Sequence, residues 1–222
     1  MKINFSNLLF VLIGTLVVVA LAVAQEPKSA EPQPDPPKKN ARPVDVSAQA
    51  PEPFDGASVE KMAQQCVTLQ TEAGNIVIEM LPGSALENVR NFLNLSATGA
   101  FDTTTFSRVV KDFVIQGGNL STSDKWGIEL MKRMTHKLPD EPGLIKHVRG
   151  IVSMARPNEP NSATTSFFIL VGNGSNLDGK FSAFGRVTSG MEVADAINHA
   201  PTQGEKPSKP VHITKATVAP CL

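Results

Sequence analysis

The sequence has no excess of either charge and none of the residue patterns typical of metal or phosphate chemistry. Its 21 basic and 21 acidic residues include no basic block, which argues against nucleic acid as a partner. Gly117-Gly118 is not followed by Lys and Ser or Thr, so it does not form a phosphate loop. We therefore expect neither a metal nor another cofactor. The four histidines have no metal-ligand spacing and no partnered Ser or Cys, and we interpret all of them as surface or structural: His136, His147, His199 and His212.

The N-terminus has the pattern of a secretory signal peptide. Lys2 precedes an apolar run at residues 8–24, which ends in the small-residue cleavage pattern Ala22-Val23-Ala24. We predict cleavage before Gln25 and an exported protein, periplasmic or secreted. The alternative is an uncleaved anchor that tethers the protein to a membrane, because the 17-residue run lies at the short end of the spanning range. No cysteine follows the run, so a lipid-modified cysteine is not indicated.

A Pro-rich segment follows the apolar run. Residues 25–62 are rich in Pro, Ala, Glu, Lys and Gln, a composition that buries too little apolar surface to offset chain entropy. We predict a disordered linker there and one folded domain at residues 63–222. The linker has two open interpretations: a spacer that holds the domain away from a membrane or wall, or a mature N-terminus with no role of its own.

Only two cysteines are present, Cys66 and Cys221, and they bracket the predicted domain. In an exported protein such a pair favours a disulfide. A disulfide would also fit a fold in which the first and last strands are antiparallel neighbours. The alternative is two unrelated buried thiols.

The predicted domain contains many short strands and two helices. Alternating or continuously apolar strand-forming runs recur from Val67 to Val218. One helix is predicted to begin at Ser84, which has capping-box spacing to Glu87, and a second spans residues 191–198. Residues 119–148 lack clean periodicity and are not assigned. This pattern indicates a mainly β fold, a barrel or sandwich with helices over its open ends.

The run from residue 106 to residue 118 places one arginine among strand-forming apolar residues. Arg108, Phe113 and Gln116 lie within it, and the Gln116 amide oxygen could hold the Arg108 guanidinium beside an apolar pocket. We interpret the site around Arg108 as having no carboxylate, metal ligand or nucleophile. Such a site is suited to binding a neutral apolar group and donating a hydrogen bond to one of its polar atoms.

Several separated motifs, in order, resemble the cyclophilin-type peptidyl-prolyl cis-trans isomerases, and in particular their exported bacterial branch. The resemblance covers about residues 67–218 and implies an eight-stranded antiparallel β-barrel capped by two α-helices, with the first and last strands adjacent. That arrangement supports pairing of Cys66 with Cys221. The matching motifs are Thr105-Phe106-Ser107-Arg108-Val109-Val110, Phe113-Val114-Ile115-Gln116-Gly117-Gly118, Gly150-Ile151-Val152-Ser153-Met154-Ala155-Arg156, Ser166-Phe167-Phe168-Ile169, Leu177-Asp178-Gly179-Lys180 and Phe184-Gly185-Arg186-Val187.

The resemblance also implies roles for individual residues. Arg108 would be the catalytic arginine, Phe113 the floor of a proline pocket, and Gln116 the residue that holds Arg108 and the substrate backbone. Arg156 would bind the substrate backbone through its own backbone. The remaining substrate-binding residues implied are Val114, Ala155, Ser166, Phe168, Leu177 and Phe181.

The implied function is non-covalent acceleration of Xaa–Pro bond rotation in folding exported proteins, with Arg108 donating a hydrogen bond to the prolyl nitrogen. We expect proline-containing polypeptides as partners and a monomer as the working form. The alternative is a proline-peptide-binding chaperone or scaffold module with low turnover. This sequence departs from residues common in the family at five positions, which bear on substrate range: Ser107, Val114, Ser166, Asn176 and Phe181. Because Asn176 replaces an aromatic contact, we predict weak cyclosporin binding.

Overall fold

Eight antiparallel strands form one curled sheet in the computed structural model, which describes residues 51–221. The order across the sheet is β10-β1-β2-β7-β5-β6-β4-β3. A separate two-stranded hairpin consists of β8 (Thr202–Gln203) and β9 (Lys206–Pro207). The sheet strands are β1 (Gln65–Thr71), β2 (Gly74–Met80), β3 (Arg108–Val110), β4 (Val114–Gly117), β5 (Ile151–Met154), β6 (Phe167–Leu170), β7 (Ala183–Ser189) and β10 (Ile213–Pro220). The predicted mainly β fold with an eight-stranded antiparallel sheet is confirmed.

The first and last strands of the domain are neighbours. Strand β1 pairs antiparallel with β10, and Cys66 lies opposite Ala219 in the register. A disulfide joins Cys66 to Cys221, with their Cα atoms 5.0 Å apart. The pairing expected from the sequence is therefore present, and it closes a covalent loop around the domain.

The two edges of the sheet are bridged by the segment before β3, which bonds to the start of β10 and to the residues just before it. The N–H of Thr103 donates to the carbonyl of Ile213 at 2.8 Å, and the N–H of Ile213 donates to the carbonyl of Thr104 at 2.7 Å. The N–H of Phe106 donates to the carbonyl of Val211 at 2.9 Å. These bonds bring the approach to β3 next to the approach to β10, so the sheet curls into a half-barrel.

Phenylalanine rings fill the interior. Phe92 lies at the centre of this group, with its ring centroid 4.8 Å from that of Phe184 and 5.2 Å from those of Phe101 and Phe167. Phe168 follows Phe167 on β6 but belongs to a smaller apolar cluster on the opposite face of the sheet. The alternation of side chains along a strand thus separates core packing at Phe167 from a second surface at Phe168.

In the described part of the chain, residues 51–221, four α-helices accompany the sheet: α1 (Val59–Ala63), α2 (Leu86–Ala97), α3 (Ile128–Thr135) and α4 (Met191–His199). Helices α2 and α4 correspond to the two that the sequence predicts. Helix α3 lies in the unassigned segment 119–148, and none of its residues is fully buried, which explains its weak sequence pattern. Within residues 51–221, no helix has the length and apolar character needed to cross a bilayer.

The predicted capping box of α2 is wrong. The helix begins at Leu86, and the Ser84 hydroxyl makes no hydrogen bond within residues 51–221. A distant carboxylate takes its place: Glu141 accepts from the N–H of Glu87 at 3.1 Å and from the N–H of Asn88 at 3.0 Å. A carboxylate at this end of a helix satisfies free N–H groups and matches the helix dipole.

The last part of the predicted linker packs against the domain. Phe54 and Met62 are buried, and the N–H of Phe54 donates to Asn94 Oδ1 at 2.8 Å. Arg90 Nη1 donates to the carbonyls of Phe54 at 2.8 Å and Ala57 at 3.1 Å. Residues 51–62 are thus held on α2 and differ in this respect from the disordered linker predicted for residues 25–62. The signal peptide predicted at residues 1–24 and the part of the predicted linker up to residue 50 lie outside the described residues.

Candidate active site

A cavity of about 140 Å³ opens at the smaller apolar cluster of the sheet, the one that contains Phe168. Nine of the ten residues that the sequence assigns to catalysis or substrate binding line it. The tenth, Ser166, does not line the cavity and contacts it indirectly, since its carbonyl accepts from the N–H of Ala155 at 2.9 Å. The lining residues are Arg108, Phe113, Val114, Gln116, Ala155, Arg156, Phe168, Leu177 and Phe181.

The β3–β4 hairpin brings Arg108 and Gln116 together. These residues lie opposite each other in the antiparallel register, and Arg108 Nη1 donates to Gln116 Oε1 at 3.1 Å. The turn between the strands is held from α4 by Asn198, a buried residue whose amide accepts from the N–H of Asp112 at 2.9 Å and donates to the carbonyl of Val110 at 2.9 Å. The hairpin therefore fixes the arginine with respect to the cavity.

Arg108 also has a carboxylate partner, which the sequence interpretation did not include. Its Nε donates to Glu205 Oε2 at 2.7 Å. Glu205 lies 97 positions further along the chain, in the β8–β9 hairpin, so no local pattern connects the two residues. The interpretation of an arginine without a nearby carboxylate is corrected on this point, and the Arg108 side chain is 44% exposed at the rim.

Aromatic and aliphatic side chains form the body of the cavity. Phe168 is 6% exposed, and its ring meets that of Phe181 edge to face with the centroids 6.1 Å apart. Phe113 and Leu177 are partly buried against the same cluster. Leu177 is placed by a 3₁₀ turn at Ser175–Leu177, in which its N–H donates to the carbonyl of Gly174 at 2.8 Å. The surface offered to a ligand is thus apolar on its walls and polar at the Arg108 end.

Arg156 is fixed by its side chain. Its Nη1 donates to the carbonyl of Pro157 at 3.0 Å, its Nη2 donates to the carbonyl of Lys180 at 3.1 Å, and its Nε lies 3.0 Å from Asp140 Oδ1. The guanidinium lies over the Phe181 ring, 4.9 Å from its centroid. Arg156 therefore braces one wall of the cavity in addition to any use of its backbone.

His147 is buried beside the cavity and has both a serine and a carboxylate partner. Its Nδ1 lies 3.2 Å from Asp178 Oδ1, and its Nε2 lies 3.2 Å from Ser153 Oγ. The sequence interpretation of no partnered serine is therefore wrong for this histidine. Ser153 is fully buried and donates to the carbonyl of Ser182 at 2.7 Å, so it cannot reach a substrate and the structural role of His147 stands.

The protonation of this pair follows from burial and hydrogen bonding. Burial lowers the pKa of His147, and the Asp178 carboxylate opposes this only in part. The N–H of His147 donates to Asp178 at 2.8 Å, and this bond is the main reason that the pKa of the Asp178 carboxyl lies below its usual value. The backbone N–H of His147 and the ionised Asp178 carboxylate together hold the loop that carries Leu177.

Sequence comparison identifies the family to which the chain belongs. Residues 66–218 match the family described as "Cyclophilin type peptidyl-prolyl cis-trans isomerase/CLD", and the chain belongs to this family. It is 40% identical over 158 residues to peptidyl-prolyl cis-trans isomerase cypE of Dictyostelium discoideum, covering 70% of this chain and 99% of that protein. It is 35% identical over 165 residues to peptidyl-prolyl cis-trans isomerase A of Dickeya dadantii, covering 68% and 83%. The protein is accordingly an enzyme that isomerises peptidyl-prolyl bonds.

Solved structures of cyclophilins share the fold. A cyclophilin type peptidyl-prolyl cis-trans isomerase of Cryptosporidium parvum aligns with a TM-score of 0.63 and 28% identity, covering 71% of this chain and 99% of that chain. The same enzyme has a structure in the presence of the dipeptide Ala-Pro, with a TM-score of 0.62. Cyclophilin AquaCyp293 of Hirschia baltica aligns with a TM-score of 0.61 at 23% identity, which bears on the fold alone.

Proposed function

We propose that this enzyme twists the Xaa–Pro bond in the cavity, with Arg108 donating a hydrogen bond to the prolyl nitrogen. The observation that carries the proposal is the position of an arginine, held by Gln116, at the rim of an apolar cavity. Rotation about a peptide bond has a barrier of about 18–20 kcal/mol, because the C–N bond has partial double-bond character. When the bond twists, the nitrogen regains a lone pair that it lacks in either planar form. A donor placed there binds the transition state better than the substrate.

The size of the cavity supports a single proline ring as the group that it holds. Its volume is about 140 Å³, close to the roughly 150 Å³ of an engineered apolar cavity that binds benzene. Phe113, Phe168 and Leu177 would grip the ring while the residue before it rotates. Val114, Ala155 and Phe181 would complete the contact surface. No covalent step is needed, since only a torsion changes.

The rate enhancement has two sources: the hydrogen bond from Arg108 and the contacts of the apolar walls with the substrate. A hydrogen bond from a charged donor contributes on the order of 1.5–3 kcal/mol, and each 1.36 kcal/mol corresponds to about tenfold in rate. The arginine alone therefore accounts for roughly tenfold to a hundredfold. The apolar walls of the cavity and Arg156 would supply the remainder by holding the substrate in the orientation from which the bond twists.

Substitution of Arg108 tests this proposal. Arg108→Ala is expected to lower kcat/KM for an Xaa–Pro peptide by about a hundredfold, as when another preorganised donor to a transition state is removed. Arg186→Ala is the matched control, because Arg186 pairs with Glu79 on neighbouring strands and does not line the cavity. A protease-coupled assay and a protease-free NMR exchange assay measure the rates. Equal activity of the Arg108 and Arg186 variants would refute the role of Arg108.

We also propose that the enzyme acts on exported proteins as they fold. The Cys66–Cys221 disulfide supports this, because structural disulfides persist in oxidising compartments outside the cytosol. The secretory pattern of the sequence points the same way. Mass spectrometry of the protein from fractionated cells tests the proposal: it should show Gln25 as the N-terminus and an oxidised cysteine pair. A chain that begins at Met1 in the membrane fraction would instead favour the anchored alternative.

A further inference from the structure

The β8–β9 hairpin delivers a carboxylate to Arg108. We propose that Glu205 is a positioning residue for isomerisation, which holds the Arg108 guanidinium in the orientation from which it donates to the prolyl nitrogen. The inference rests on the proposed catalytic role of Arg108 and extends it to a residue that lies outside the cavity lining. The observation that carries the inference is the hydrogen bond that Arg108 Nε donates to Glu205 Oε2 at 2.7 Å.

The hairpin turn specifies where Glu205 lies. Gln203 pairs with Lys206, which leaves Gly204 and Glu205 as the two turn residues. Gly204 has a φ of +62°, in the region that glycine adopts without strain at the first position of a two-residue hairpin turn. Glu205 is thereby directed away from its own hairpin and toward β3.

Two separate bonds dock this turn on the strand that carries Arg108. The N–H of Val109 donates to the carbonyl of Glu205 at 2.8 Å, and the side chain of the preceding residue, Arg108, donates to the Glu205 carboxylate. Strand β3 is the edge of the sheet, so its outward N–H would otherwise face solvent. The main chain of Glu205 thus fixes the backbone from which its side chain reaches the arginine.

Two acceptors define the orientation of a guanidinium better than one. Arginine carries five N–H donors in a rigid plane at the end of a long, flexible chain. Gln116 Oε1 binds Nη1, and this single bond leaves the plane free to rotate about the contact. The second bond, at Nε, removes that freedom. The other N–H groups of Arg108 have no hydrogen-bond partner among residues 51–221 and remain free to donate to a substrate.

The exposure of the pair separates this role from a role in stability. The Arg108 side chain is 44% exposed and that of Glu205 is 56% exposed. Ion pairs with such exposure contribute little to folding, because solvent screens them and two long side chains must be ordered. Loss of the carboxylate should therefore leave the fold intact and act on the rate. The backbone bond from Val109 remains in every side-chain variant of Glu205, which keeps the hairpin docked.

Substitution of Glu205 with two different side chains tests the inference. Glu205→Ala removes the acceptor and is expected to lower kcat by about tenfold, less than the loss expected for Arg108→Ala because the guanidinium remains but is less well oriented, with KM changed less than twofold. Glu205→Gln keeps an acceptor oxygen without the charge and should stay within about threefold of wild type. Glu79→Ala is the matched control, since Glu79 accepts from Arg186 Nε at the same 2.7 Å away from the cavity.

Thermal unfolding and NMR distinguish positioning from a structural role. The midpoints of the Glu205 and Glu79 variants should agree, and the Nε–H resonance of Arg108, assigned by its loss in Arg108→Ala, should shift in Glu205→Ala but not in Glu79→Ala. Wild-type kcat in Glu205→Ala would overturn the inference, as would an equal loss in Glu79→Ala. If Arg108→Ala is fully active, the proposed function itself fails. If that variant is inactive while Glu205→Ala is not, only the positioning role fails.

Discussion

The guanidinium of Arg156 lies over the ring of Phe181, 4.9 Å from its centroid, and is held there by an ion pair with Asp140. Asp140 belongs to the segment between α3 and β5, whereas Phe181 precedes β7. The contact therefore links two loops across one side of the cavity. Both charged side chains are largely buried, at 12% and 17% exposed, so neither is free to relax into solvent without a cost.

We expect Arg156→Lys to weaken substrate binding. Lysine keeps the charge but lacks the planar guanidinium that donates to the carbonyls now holding Arg156. The side chain would therefore no longer be fixed against the Phe181 ring. KM for an Xaa–Pro peptide should rise by about threefold to tenfold, which corresponds to the roughly 0.5–1.5 kcal/mol of one net hydrogen bond. Arg149→Lys is the control, because Arg149 pairs with Asp195 outside the cavity lining. An unchanged KM in Arg156→Lys would show that the wall keeps its shape without this contact.

We expect Glu141→Ala to lower the free energy of unfolding and to leave the isomerase activity of the folded protein unchanged. The carboxylate caps α2 and also accepts from the side chain of Asn88, a fully buried residue. Loss of a helix cap costs about 1–2 kcal/mol of unfolding free energy, and urea unfolding measures it. Glu129→Ala, which removes only an exposed pair with Lys132 on α3, should change stability by less than about 0.5 kcal/mol. Equal stability of the two variants would mean that the cap contributes nothing measurable.

Removal of the Cys66–Cys221 disulfide should have a large effect on stability. The bond spans a sequence separation of 155 residues, and loop-closure entropy predicts a loss of about 4–5 kcal/mol for a loop of this order. The double variant Cys66→Ser/Cys221→Ser, compared with wild type in urea without reductant, measures the loss. Dithiothreitol should lower the wild-type midpoint and leave that of the double variant unchanged. A loss below about 1 kcal/mol would contradict the entropic account.

Stability should fall as pH is lowered through the range in which histidine titrates. The pKa of His147 lies below its ordinary value of 6.5 because the ring is buried. The unfolded chain therefore takes up a proton near pH 6.5 while the folded protein resists it, so unfolding free energy increases with pH until the histidine is neutral in both states. The nearby charged groups are Asp178 and Lys146, which themselves form an ion pair.

His147→Gln is the variant that isolates this effect. It removes the titrating ring, so the dependence of unfolding free energy on pH between about 5.5 and 7 should flatten relative to wild type. His199→Gln serves as control, because His199 is exposed on α4. The depressed pKa of Asp178 adds a further loss of stability at lower pH, as that carboxylate becomes protonated. Identical pH profiles for wild type and His147→Gln would exclude His147 as the source.

The sequence is sufficient to predict features of the fold and the site that follow from a repeating residue pattern or from the order of separated motifs. Alternation along β6 predicts that Phe167 and Phe168 face opposite sides, and the structure agrees. Motif order brings Arg108, Phe113 and Gln116 to one cavity with Phe168 and Leu177. These predictions succeed because a strand imposes a fixed period and a hairpin imposes a fixed register.

Features that depend on distant partners were missed. The cap of α2 comes from Glu141, which lies 54 positions beyond Glu87, and no local pattern competes with the apparent capping box at Ser84. Glu205 reaches Arg108 only because β8–β9 docks on the edge of the sheet. Its one local signal was the turn-forming pair Gly204-Glu205 within a short polar stretch. Phe54 was missed because a single apolar residue in a Pro-rich segment cannot be distinguished from a solvated one.

The disulfide between the ends of the domain has a mechanical consequence. A pulling force applied to the chain before Cys66 and after Cys221 would first detach residues 51–62 from α2 and would then pass from one sulfur to the other without loading the sheet. Such a force cannot shear β1 from β10, because their outer ends are covalently joined. If the protein is attached through residues that precede Cys66, the cavity should therefore not be strained by such a force. Reduction of the Cys66–Cys221 disulfide would remove this protection, and the force would then separate β1 from β10.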